Sequence, residues 1–278
     1  MITSGAIEIV SRTDPGKVRS HNEDFVAHES EIGLVLLADG MGGYNAGEVA
    51  SGMAARIIIE GLSHAWRATT ANKRSTDSGT MVPSSSIQEQ VERANWAIFE
   101  KAQNEPQCAG MGTTLVTGLF YDNQLTVGHI GDSRMYRLRG EVLDQITKDH
   151  SLLQEQVDAG LLKKEDARNS RNKNLLTRAL GIDPKVEAEI HTHAVLPGDT
   201  YLLCSDGLND MVEDEEIRLT LLALQSNLPL AAEQLVSSAN DNGGRDNVSV
   251  VLAKVLQPFP AKRGWMARLK SWFSSRGN

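Results

Sequence analysis

Apolar residues in this chain come in short runs that stop abruptly at an acidic residue and a glycine. LVLLADGMGG, beginning at Leu34, sets four large apolar side chains in a row and ends in Asp39 and Gly40. A run of this length, bounded by turn residues, has the dimensions of a buried strand. Residues 6–10 and 33–39 therefore read as strands, with a Pro-Gly turn in the TDPGK between them. Residues 46–66 follow a helical period, with Val49, Met53, Ile57 and Leu62 near one face. A second helix is predicted over 87–101. TTLVTGLFY, QLTVGHI and SRMYRLR then read as three strands, the first two joined at Tyr121-Asp122-Asn123, a sequence suited to a hairpin. Strands joined this tightly must be antiparallel, because a parallel pair requires a long crossover. Beyond them the pattern predicts a helix at 151–159, strands at 186–195 and 200–204, helices at 214–224 and 230–240, and a last strand at 248–256. Strands dominate the middle, helices come in pairs near each end, and no β-α-β unit repeats. That order implies an α+β domain of antiparallel sheets covered by helices.

Three segments interrupt the pattern. From Ala68 to Ser86, nine of nineteen residues are Ser or Thr, which reads as a polar, flexible surface insertion. Residues 160–180 are largely polar and rich in charge. Residues 257–278 form a basic tail in which Trp265, Met266, Leu269, Trp272 and Phe273 share one helical face. Such a tail can lie on an anionic membrane surface, or dock on the acidic body of the protein or on a partner. From Pro258 onward it holds five basic residues and no acidic one, so the remainder of the chain carries −13 against −8 overall. This balance argues against nucleic acid as a partner.

With 278 residues, 40% of them apolar and 23% charged, the chain can bury a substantial core as one large domain or two small ones. The expected division is a folded domain over 1–256 followed by the tail. Its two cysteines, Cys108 and Cys204, form no CxxC pattern, which excludes a disulfide framework or a structural zinc site and fits a reducing compartment. MITSGAIEIVSR lacks the features of a secretory signal, and no window is apolar for long enough to span a bilayer. The expected location is cytoplasmic, with the tail as a route to peripheral contact at the inner membrane.

The ending of the first run recurs. YLLCSDG closes an apolar run with Asp206 and Gly207, LTVGHIGDS brings Asp132 to the end of another, and GGRDNVSVVL sets Asp246 just before the last strand. RSHNEDF adds Glu23 and Asp24 near the N-terminus. Each Asp-Gly taken alone is a common turn dipeptide. Taken together, carboxylates at the ends of buried strands are costly unless cations neutralise them, and the chain places few basic residues nearby. Hard divalent ions would do so, with the glycines giving carbonyls and water access to them.

RSHNED, LLADGMGG, GHIGDSRMY, TKDHS, LLCSDGLND and GGRDNVSVV, in this order, resemble the bacterial branch of the metal-dependent (PPM, type 2C) protein Ser/Thr phosphatases. The resemblance runs from about Ile7 to Val255. It implies a sandwich of two antiparallel sheets flanked by helices on both sides, with a metal centre at one end. It also implies two Mn2+ or Mg2+ ions, with a third as an open alternative. By motif position Asp39 would bridge the ions, Asp206 and Asp246 would complete one shell, and Glu23 with the Gly40 carbonyl would hold the other. Arg19 matches the phosphate-binding arginine, Asp24 an outer carboxylate, and Asp132 the third site, where Asp210 is a less certain ligand. Residues 160–180 correspond to the flap beside the active site.

The implied reaction is hydrolysis of phosphoserine and phosphothreonine in phosphorylated proteins, opposing a bacterial Ser/Thr kinase. A hydroxide shared by the two ions would attack phosphorus, with charge stabilised by the metals and Arg19. Neither cysteine is followed six positions later by arginine (Thr114 and Asp210 stand there), and no DxD motif occurs, which argues against phosphatases that use a covalent intermediate. One departure is Met41, which stands where eukaryotic members carry histidine and cannot donate a proton. His129 and His150 lie near motif residues and read as ordinary strand and helix-start histidines. His191 and His193 alternate along a strand and read as a solvated face. The competing reading is a metal-poor module that binds phosphoproteins without cleaving them.

Overall fold

The computed structural model describes residues 5–43, 46–72, 83–162 and 175–260. The continuous apolar runs are explained by burial on both strand faces. In β3 (Leu34–Met41), Leu34, Leu36 and Ala38 face a helical layer, whereas Val35 and Leu37 face a second sheet. In β11 (Val248–Val255), Val248, Val250 and Leu252 face helices, and Val251, Ala253 and Val255 face the first sheet. The protein is thus four layers, α-β-β-α, with three apolar seams. Each fully buried Leu or Val side chain contributes about 1.5–3 kcal/mol, so the strands are held from both sides.

One sheet runs β2 (Asp24–Glu29), β3, β5 (Leu115–Tyr121), β6 (Gln124–Ile130) and β9 (Glu189–Ala194), with the two-residue β4 (Gly112–Thr113) paired to β3. The other runs β1 (Ile7–Asp14), β11, β10 (Thr200–Cys204), β7 (Arg134–Arg139) and β8 (Val142–Gln145). All pairings within them are antiparallel. The β5–β6 hairpin turns at Asp122 and Asn123, both with positive φ (52° and 58°), as a type I′ turn requires. Helices α1 (Ala46–Asn72) and α2 (Pro83–Asn104) cover the first sheet. Past the short α3 (Leu152–Asp158) and α4 (Asp206–Asn209), helices α5 (Asp214–Ala223) and α6 (Leu228–Asp241) cover the second.

Several expectations shift. Strand β2 and the short β8 were not anticipated, and β9 starts three residues later than predicted. The polar insertion is shorter than expected at both ends, because α1 continues to Asn72 and α2 begins at Pro83. Proline at a helix start loses no hydrogen bond, since its missing N–H would have had no partner there. Residues 73–82, the middle of that insertion, lie outside the described residues, as do 163–174 of the flap and 261–278 of the tail. Phe259, assigned to the tail from sequence, is buried against Phe120 in the seam between the sheets, and its N–H donates to Asn123 Oδ1 at 2.7 Å. Among the described residues, no helix is long and apolar enough to cross a membrane.

Candidate functional site

At one end of the sandwich the two sheets deliver carboxylates from opposite sides. Asp39 ends the apolar part of β3, and Glu23 lies just before β2, its neighbour in the sheet. Asp206 opens α4 directly after β10, and Asp246 precedes β11, its neighbour in the other sheet. Asp132 follows β6. These five residues, with Arg19 and Gly40, line a single cavity of about 200 Å3. The seven residues to which the resemblance gives metal or phosphate contacts are therefore in one place, whereas Asp24 and Asp210 do not line the cavity.

Two glycines have a tighter purpose than the access expected of them. A Cβ on Gly40 would stand 2.1 Å from the Gly47 carbonyl oxygen, and one on Gly207 2.0 Å from that of Asn247. Their bare backbones let strand ends and helix starts approach closely beside the cavity. The first turn of α1 then comes against Glu23, since a Cβ on Gly47 would stand 2.8 Å from its carboxylate.

Electrostatically the cavity is crowded with like charge. Enclosure, then repulsion from Asp24, Asp206, Asp132 and Asp246, pushes the Asp39 carboxyl far above the usual range. Asp206 is raised well above it too, by burial and by Asp132, Asp246, Asp210 and Asp24. Burial and the neighbouring Asp149 push Asp132 up to about 7, against the pull of Arg134. Burial raises Asp24 to about 6, although it accepts from Ser205 Oγ at 2.8 Å. Its other oxygen, Oδ1, is buried without a hydrogen-bond partner. Arg19 is the cation at the cavity wall. Its Nη2 donates to Asp246 Oδ2 at 2.7 Å while the side chain stays half exposed. One guanidinium cannot neutralise five carboxyl groups, so the donor set fits hard cations held by oxygen ligands.

A layer of neutral groups, not singled out in the sequence, holds the carboxylates in position. Asn247 Oδ1 accepts from the Glu23 N–H at 2.8 Å, and its Nδ2 donates to the carbonyls of Pro15 and His21 at 3.0 and 2.8 Å. The Asn247 N–H donates to Asp246 Oδ1 at 2.9 Å. Thr114 Oγ1 accepts from the Asp39 N–H at 3.0 Å and pairs with Ser133 Oγ at 2.7 Å. The adjacency of Asn247 to Asp246 was the one available signal.

Asp210 lies one turn beyond Asp206, donating its N–H to the Asp206 carbonyl, and adds charge to the cluster without lining the cavity. Met41 and Leu176, the latter from the flap region, form an apolar part of the wall. His191 and His193 lie on the edge strand β9, away from the cavity. Asp149 of TKDHS is engaged by Arg134, whose Nη2 donates to Oδ2 at 2.6 Å.

The family model for protein phosphatase 2C matches residues 17–256. The chain belongs to the protein phosphatase 2C family. Among relatives of this phosphatase 2C chain, the serine/threonine phosphatase stp of Listeria innocua is 40% identical over 246 residues, covering 87% of the chain and 94% of the relative. The serine/threonine protein phosphatase PstP of Mycobacterium tuberculosis is 41% identical over 253 residues, which is 90% of the chain but 45% of that longer protein. The crystal structure of the Mycobacterium tuberculosis phosphatase PstP/Ppp superposes with a TM-score of 0.77 at 38% identity, covering 90% of this chain and 99% of that one. Another structure, of the PstP catalytic domain in complex with two manganese ions, matches with a TM-score of 0.75 at 39% identity, covering 90% and 99%. The two-sheet, helix-flanked fold of the family is the one described above.

Proposed function

We infer that this chain is a metal-dependent phosphoprotein phosphatase that hydrolyses phosphoserine and phosphothreonine, in a pathway that opposes a Ser/Thr kinase. The observation that carries this reading is the convergence of Glu23, Asp39, Asp132, Asp206 and Asp246 with Arg19 around one cavity. The named relatives, all serine/threonine phosphatases, support the substrate class. In this reading Asp39, Asp206, Asp246, Glu23 and the Gly40 carbonyl would together hold two Mn2+ or Mg2+ ions, with Asp39 serving both, Asp206 and Asp246 one, and Glu23 with the Gly40 carbonyl the other. Asp132, with Asp206, would hold a third ion.

When bound, such ions neutralise the carboxylates, polarise phosphoryl oxygens and make water a better nucleophile near neutral pH. The remaining work falls to the protein. Arg19, steadied by Asp246 and half exposed, offers the rest of its guanidinium fork to phosphoryl oxygens, where charge grows in the transition state. Asn247 holds Glu23 and Asp246 in fixed relation, so the donors need no rearrangement as the reaction proceeds. Met41 at the wall cannot supply a proton, and no imidazole lines the cavity among the described residues. Protonation of the departing Ser or Thr oxygen would then come from bound water or matter less to the rate.

The deciding experiment is phosphate release from phosphothreonine and phosphoserine peptides with Mn2+, with and without chelator. Release that stops on chelation is expected, and Asp39→Ala should abolish it while the circular dichroism spectrum is retained. A folded, Mn2+-loaded protein that binds these peptides without turnover would instead be a recognition module.

A further inference from the structure

Outside the cavity, His129 on β6, His150 just before α3 and Glu189 at the start of β9 converge, one donor atom of each lying within 4.8 Å of the others. An imidazole metal site would need a free lone pair on both rings. His150 has none to give. Its Nδ1 accepts from the Gly131 N–H at 3.2 Å, so the proton of the neutral ring sits on Nε2. That nitrogen faces Glu189 Oε2 at 3.2 Å. The other oxygen of Glu189 is held by His191 Nε2 at 2.7 Å. The His129 ring lies 4.7 Å from the His150 ring, centre to centre, as a buried wall behind it.

The chain of contacts ends on the backbone of Gly131, which His150 grips twice. Besides the bond to Nδ1, the Gly131 carbonyl accepts from the His150 N–H at 2.7 Å. Gly131 has φ +104°, a conformation open chiefly to glycine, and a Cβ there would stand 2.7 Å from the Thr114 side chain. The next residue is Asp132, whose carboxyl lines the cavity against the repulsion of Asp149 and Asp210. We propose that His150, its tautomer fixed by Glu189, is a positioning residue that pins Gly131 and thereby aims Asp132 into the cavity. The inference rests on the reading of Asp132 as a cation ligand. It gives His150 no contact with substrate.

The test counts Mn2+ bound to the full chain from the loss of its free-ion EPR signal, a readout that needs no turnover. His150→Phe keeps a ring against His129 but loses both ring hydrogen bonds. It is expected to weaken about tenfold the Mn2+ whose binding Asp132→Ala removes, as loss of an outer hydrogen bond to a ligand commonly does. His150→Asn, which restores an acceptor near the Nδ1 position, should recover most of that loss. Glu189→Leu, which frees the tautomer, should fall between. Adding His150→Phe to Asp132→Ala should weaken binding no further, because both act on one ligand. Unchanged Mn2+ binding in His150→Phe, or an additive double variant, would overturn the proposal. Should His150→Phe not fold, unchanged binding in Glu189→Leu would overturn it equally. Zn2+ bound by the wild type, lost in His129→Ala and His150→Phe but kept in Asp132→Ala, would make the trio a separate metal site and also overturn it. Failure of the wild type to release phosphate would sink the phosphatase reading and leave this count standing.

Discussion

Asp24 and Asp39 stand directly opposite one another in the β2–β3 pair, two carboxylates side by side on one face of a sheet. Opposed like charges destabilise a strand pair, and the cost here depends on what neutralises them. The stability of the metal-free protein follows from the sign of the shifts. Asp39 and Asp206 are raised well above the carboxylate range and Asp132 to about 7, so the folded state holds protons that the unfolded chain releases. Stability therefore falls as pH rises through these folded-state values. Buried His129, pushed down to about 3, gives the opposite slope, but that slope ends near the unfolded value of about 6.5. Between pH 6.5 and 8.5, chelator-treated protein is expected to lose stability in urea unfolding, and Mn2+ should abolish the trend. Asp24→Asn should stabilise the metal-free form at pH 8 by on the order of 1–3 kcal/mol, because a carboxyl raised to about 6 by burial is ionised at that pH and the amide removes the buried charge. Metal-free protein that gains stability across that range would contradict the charge crowding.

Arg19 offers a second check. Its guanidinium is tied to Asp246 yet remains half exposed, which leaves donors for a phosphoryl group. Arg19→Ala is expected to lower kcat/KM for phosphopeptides about 10²-fold, the scale of losing one charged donor to a transition state. Arg19→Lys should recover little, because an ammonium cannot hold Asp246 and phosphate in one planar fork. Steady-state kinetics at saturating Mn2+ decide this, and a lysine variant with wild-type kcat/KM would refute it.

The parts of the fold legible in the sequence are those with two buried faces. β3, β10 and β11 announce themselves because both sides of each strand pack against apolar layers. β2, DFVAHE, does not, since its three apolar residues are only partly covered, with Phe25 exposed and Val26 and Ala27 half-buried. Helix ends were lost where Ser, Thr and Pro imitate a loop, as at Pro83. Strand-end carboxylates were visible one by one, but their meeting depends on β10 lying beside β11 and β2 beside β3, which only the motif order suggested. Asn247 and Thr114 stayed hidden because a neutral hydrogen-bonding residue looks in sequence like any turn residue. Their partners are remote in the chain.

Asn247 is where that hidden layer can be tested. It is buried, and its amide satisfies the Glu23 N–H and the carbonyls of Pro15 and His21. Asn247→Ala leaves three backbone groups without partners and is expected to cost about 2–4 kcal/mol, from about 1–3 kcal/mol for each group that water cannot reach. Asn247→Asp should be at least as harmful, since it keeps the acceptor, loses both donors and adds a charge beside Asp246. Calorimetry with Mn2+ present reads both. A fully stable aspartate variant would show that the amide donors are dispensable.

Met41 bears on the leaving group. With a thioether at the cavity wall and no imidazole beside it, the departing oxygen leaves with little help from a proton donor of the protein. The rate should then depend steeply on leaving-group basicity. Across a series of aryl phosphates, kcat in the wild type is expected to fall as the pKa of the phenol rises, provided that bond cleavage limits turnover. Met41→His places an ionisable donor at that wall, and its protonated form can share charge with the leaving oxygen. The variant should show a shallower dependence, with the gain largest for the most basic phenols and lost above the pKa of the new imidazole. Parallel slopes for the two proteins would mean that this wall does not face the leaving group, and would place substrate the other way round in the cavity.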